Sequence, residues 1–136
     1  MSSKRHPTTR RCHDRWVNLR VLHASLASVT AAAGVALVLS GGWSAARRSA
    51  PSIRVVLLVR RVTLIVAVLT VLIGAVLFVE GGRPRVPLHY LYAVLAVAAV
   101  PLATTMAARQ PRRGGLYHAG AGVVLLLMCF RLASTG

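Results

Sequence analysis

At 136 residues the chain has the length of one domain, and a hydrophobic fraction of 56% with mean hydropathy +0.66 is too apolar for an ordinary soluble one. Seventeen Lys and Arg stand against two acids, Asp14 and Glu80, for a net charge of +15. The cations fall in short clusters between apolar runs, with few aromatics to stack bases, which points to membrane headgroups and away from nucleic acid.

Residues 1–18 are basic and polar with no apolar period, and read as a disordered tail drawn to anionic lipid. Cys12-His13-Asp14 carries metal-ligand chemistry, but adjacent residues without a second cluster are a weak metal signal. Cys129 lies in an apolar run, and membrane segments separate it from Cys12, so no disulfide within the chain is expected.

Residues 19–134 form the expected domain, with four apolar spans at about 19–40, 56–79, 88–108 and 116–133. The first outruns the ~7–15 apolar residues of a signal peptide, which favours an uncleaved helix. On it, helical spacing gathers His23, Ala27, Thr30, Gly34 and Val38 on one face, mostly small as close packing in lipid prefers. Gly41-Gly42 is expected to end this helix, with Trp43 as an interfacial anchor. Pro51-Ser52 marks the next helix start. The stretch from Val62 to Val79 is uncharged and covers about 27 Å at the helical rise, just enough for a hydrocarbon core.

The second helix has its own small face, Thr63, Ala67, Thr70 and Gly74, and ends at Glu80. Gly81-Gly82-Arg83-Pro84 then breaks the chain. On the third helix His89, Ala93, Ala96, Val100 and Ala103 share a face, and Pro101 is expected to kink it. The fourth lines up His118, Gly122, Leu126 and Cys129, with Arg131 snorkelling near its end. Four such spans joined by short loops predict an all-α, integral-membrane antiparallel four-helix bundle. Basic residues are nearly balanced between the two expected faces, so the positive-inside rule leaves orientation open, with a slight tilt to a cytoplasmic N-terminus.

His23 follows Arg20 and His89 follows Arg85 by about one turn each, so alternating helix direction brings both imidazoles in from one face at similar depth. Two readings fit. Histidine and tyrosine near helix ends serve as interfacial and interhelix hydrogen-bonding groups. Alternatively, His23 and His89 hold a metal, as axial ligands of a haem b between small-residue faces. Glu80 would then accept from a ring N–H, Tyr90 and Tyr92 would bond a propionate, and Arg83 or Arg85 would pair with its charge.

The segment from Val62 to Arg109, above all Gly74, Gly81-Gly82-Arg83-Pro84 and Leu88-His89-Tyr90-Leu91-Tyr92, resembles small bacterial four-helix membrane proteins without assigned function. His23, early in the first helix, belongs to the same pattern. Their layout is similar to four-helix b-type cytochromes, which implies electron transfer with His23 and His89 as the matched positions. The second helix has no histidine, so at most one bis-histidine site is complete; the long basic tail also departs from the pattern.

No acid–base pair lies inside the apolar spans, no Ser or Cys has a histidine at useful spacing, and no phosphate loop occurs, so an enzyme is not expected. The leading expectation is a structural or accessory subunit of an assembly in the plasma membrane. Its partners would be the bilayer with its anionic headgroups, and other membrane subunits. A b-type haem protein is the alternative, and a small transporter without a named binding site is a third.

Overall fold

A computed structural model describes the backbone of residues 7–47, 50–84 and 86–135, with side chains from Arg15 onward apart from residues 50–53. Those residues are helical apart from two connections: α1 (Pro7–Arg47), α2 (Ala50–Val79), α3 (Leu88–Arg109), a 3-10 turn at Pro111–Arg113, and α4 (Gly114–Thr135). Four helical stretches, Arg15–Arg47, Arg54–Val79, Leu88–Arg109 and Pro111–Thr135, are long and apolar enough to cross a membrane.

Two boundaries differ from the sequence expectation. α1 begins at Pro7, so residues 7–18, expected as tail, continue the helix. Proline suits a first helical position, and nothing between it and the apolar run breaks a helix already nucleated. Arg15 also meets Glu80 at 3.5 Å, and Arg20 lies over the Trp16 ring at 3.6 Å. At the other end α1 passes through Gly41-Gly42 to Arg47. The residues after that pair, Trp43 to Arg47, suit a helix, and Arg47 lies 4.0 Å over the Trp43 ring.

Gly81-Gly82 does terminate its helix. Gly81 has φ +92°, and the Gly82 and Gly81 N–H groups donate to the Leu77 and Phe78 carbonyls at 2.8 and 3.0 Å. That is a Schellman end, which satisfies carbonyls the helix leaves free. Pro84 and Pro87 then prevent its resumption before α3. α3 runs unbroken through Pro101.

Thr30 and Gly34 on α1, Thr63 and Ala67 on α2, Ala96, Val100 and Ala103 on α3, and His118 and Gly122 on α4 are the buried members of the small faces; Leu37, Ser44, Val56, Ala121 and Leu125, which lie beside those faces, are buried with them. α1 and α4 form the central pair, α2 packs on α1, α3 packs on α4, and α2 meets α3 along a much shorter seam. Glycines set the central approach. A Cβ on Gly115 would stand 2.6 Å from the Gly41 carbonyl oxygen, and one on Gly122 would stand 2.7 Å from that of Gly34. The two backbones therefore touch with no side chain between them, at two places two turns apart.

α1 and α2 are joined differently, through hydroxyls. Thr30 Oγ1 and Thr70 Oγ1 lie 2.9 Å apart, and each also reaches its own helix's carbonyl at 2.8 Å, Leu26 and Val66 respectively. Two hydroxyl hydrogens thus serve three acceptors, so one hydrogen is shared or switches partner.

Candidate functional site

One end of the molecule ties all four helices. Arg15 of α1 pairs with Glu80 at the end of α2, Phe78 of α2 meets Tyr90 of α3 edge-on with ring centroids 5.6 Å apart, and His89 of α3 meets Thr135 of α4. The glycine register between α1 and α4 sets His23 opposite the last turn of α4, where His89 bonds. Both imidazoles therefore lie at this end, within about one turn of each other along the helix axes.

The partners of the two rings fix their tautomers. His23 Nδ1 lies 3.1 Å from the Thr70 carbonyl, which can only accept, so Nδ1 carries the hydrogen and Nε2 presents a lone pair. The ring lies against Gly74, where a Cβ would come within 3.0 Å of His23 Cε1. Gly74 is thus the cradle for this histidine. His89 Nδ1 is 3.4 Å from Thr135 Oγ1, whose own hydrogen goes to the Arg131 carbonyl at 2.8 Å. His89 therefore also donates from Nδ1, and its Nε2 has no hydrogen-bond partner among the described residues. Both side chains are half-buried.

The other expected members are more scattered. Glu80 contacts Arg15, an exposed side chain that no sequence motif marked. Tyr90 is exposed and flanked by Phe78 and His89, Tyr92 is half-buried, and Arg83 is exposed on the loop. Arg85 lies outside the described residues, as do the side chains of Cys12, His13 and Asp14. Among the described residues no three metal-ligating side chains cluster. A bis-histidine haem needs only two protein ligands, each with its second ring nitrogen held by an acceptor, and the donor set of His23 and His89 has that chemistry.

Sequence reasoning missed Thr135, saw Thr70 only as a small packing residue, and did not mark Gly74 as the seat of the His23 ring. It placed His118 only on a face of the fourth helix with Gly122, Leu126 and Cys129. His118 is buried at 5% exposure; its Nδ1–H donates to the Gly114 carbonyl at 2.7 Å, and its Nε2 has no partner among the described residues. A buried acceptor left so costs about 1–3 kcal/mol.

Comparison with known protein families, curated proteins and solved structures returned no match to this chain.

Proposed function

We propose that the chain is a multi-pass plasma-membrane protein, an antiparallel four-helix unit that serves as a structural or accessory subunit of a membrane assembly. Exposed Val, Leu and Ile side chains along α2, from Val55 through Leu58, Ile65, Leu69 and Leu72 to Val79, suit lipid or a partner helix and not water. The order of contacts supports the antiparallel sense, since later residues of α1 meet earlier residues of α4. One observation carries the structural role. Several polar side chains within the spans hold helix to helix: Thr30 with Thr70, His23 with the Thr70 carbonyl, and Thr63 with the Ala33 carbonyl at 3.4 Å.

A second reading rests on the matched Nε2 lone pairs. In it, His23 and His89 hold a b-type haem as axial ligands, and the resemblance to four-helix cytochromes points the same way. When bound, the haem would supply one-electron chemistry; this chain's residues would set ring orientation through Thr70 and Thr135 and provide an apolar surround.

Absorption spectroscopy separates the two. The protein is made in haem-replete cells, purified in detergent, and its visible spectrum recorded with and without dithionite. The structural reading expects a folded, colourless protein, with His23→Ala and His89→Ala changing stability alone. A stoichiometric Soret band lost in either variant would replace it with the haem reading.

A further inference from the structure

The end opposite the histidines is densely cationic and contains no acid. Arg47, Arg54, Arg60, Arg61, Arg109, Arg112 and Arg113 all belong to it, whereas Glu80 and Asp14 are the chain's only acids. Glu80 lies twenty residues along α2 from Arg60, about 30 Å at the helical rise. Asp14 is as remote: Ala33 of α1 meets Thr63 of α2, one turn from Arg60, and Asp14 precedes Ala33 by about 28 Å of helix. Neither Glu80 nor Asp14 can reach Arg60.

Arg60 differs from its cationic neighbours in position. Arg54, Arg61 and Arg109 are exposed, but Arg60 is half-buried and crosses from α2 to α3, where Nη1 donates to Thr104 Oγ1 at 3.4 Å. Thr104 Oγ1 is held in turn, donating to the Val100 carbonyl at 2.9 Å. The guanidinium is therefore anchored on the seam between α2 and α3, which is short. Of its five N–H donors, one has a partner among the described residues. A fixed, partly desolvated guanidinium without an internal counter-ion attracts a bidentate oxyanion strongly. On α2, exposed Leu57 lies one turn before Arg60 and half-buried Leu64 one turn after it on the same face, so a tail attached to that anion meets an apolar surface.

We propose that the α2–α3 seam binds one anionic phospholipid, its phosphate on Arg60 and an acyl chain along the seam. This rests on the reading that the helices span a bilayer, and adds to it a single residue-defined lipid site. Charge selects the lipid, the Arg60 fork orients its phosphate, and the poorly packed seam accommodates its chain.

The test uses the full chain in a neutral detergent, with phosphatidylglycerol or phosphatidylcholine titrated in and binding read by native mass spectrometry and thermal shift. Wild type is expected to retain one phosphatidylglycerol and to discriminate against phosphatidylcholine. Arg60→Gln is expected to weaken retention about tenfold, as loss of a charge-assisted pair does, while Arg61→Gln stays near wild type. Thr104→Val, which frees the guanidinium but keeps its charge, gives an intermediate loss; helicity by circular dichroism checks that each variant folds. Equal binding of both lipids, equal loss in Arg60→Gln and Arg61→Gln, or displacement by inorganic phosphate at similar concentration would overturn the site while leaving the membrane reading intact. Recovery of the chain folded without detergent or lipid would overturn both.

Discussion

Gly115→Ala is expected to loosen the whole molecule, at a cost of about 3 kcal/mol, the upper part of the range for overpacked cores. The new methyl group would stand 2.6 Å from the Gly41 carbonyl oxygen and 2.7 Å from the Ala45 nitrogen, both backbone atoms that cannot rotate away. α1 and α4 must then separate, and in lipid no hydrophobic gain offsets the lost contact, because acyl chains are as apolar as the side chains they replace. Gly41→Ala meets the same seam from the other side, with the Ala119 nitrogen and Gly115 oxygen each at 2.7 Å, and is expected to cost a similar amount. Gly42 and Gly120 serve as controls. A Cβ at either meets nothing within 4 Å, so alanine there is expected to stabilise by up to about 1 kcal/mol through helix propensity alone. Thermal or denaturant unfolding in detergent reads all four. Equal responses at Gly41 and Gly42 would mean that the two helices do not touch as described.

Leu69→Arg is the second large effect, expected at about 3 kcal/mol against membrane insertion of α2. Leu69 is 45% exposed and lies midway between Arg61 and Glu80. On a helix facing water the same change is worth no more than about 0.5 kcal/mol, so its size reports the solvent around α2. Leu58→Arg, at 64% exposure but beside Arg54 and Arg61, places its charge near the headgroups and is expected to be mild. The readout is the fraction of each variant that resists alkaline extraction from membranes. Equal resistance of the two variants would remove the reason to place α2 in lipid.

Much of the helical layout was legible in the sequence, because small residues at helical spacing mark packing faces whatever surrounds them. Thr63 and Ala67, Ala96 and Val100, and His118 and Gly122 all lie on faces the spacing picked out, and all are buried. The two Gly-Gly pairs show where local reading fails. Gly81-Gly82 ends a helix because Pro84 and Pro87 follow; Gly41-Gly42 stays inside α1, and there Gly41 is needed because residues of another helix, Gly115 and Ala119, occupy the space a side chain would need. A break and a close approach demand the same residue, and one-dimensional spacing cannot tell them apart.

The candidate site was legible in its residues more than in its partners. His23 and His89 stood out as imidazoles early in apolar runs. Thr70 and Thr135, which orient them, did not, since a threonine carbonyl or hydroxyl acquires that role only when a second helix arrives. Arg60 looked like one of many headgroup anchors until Thr104 placed it between two helices. Such contacts depend on register between helices, which no single stretch of sequence encodes.

The central claim, a chain that crosses the bilayer repeatedly, is tested most directly by the sidedness of its loops. With Cys12 and Cys129 replaced by serine, single cysteines at Arg83 and Arg112 are reacted in intact cells with a membrane-impermeant maleimide. Crossing of the bilayer by α3 predicts that one position labels at once and the other only after the membrane is opened. Labelling of both from the same side, or neither position being protected at all, would contradict it.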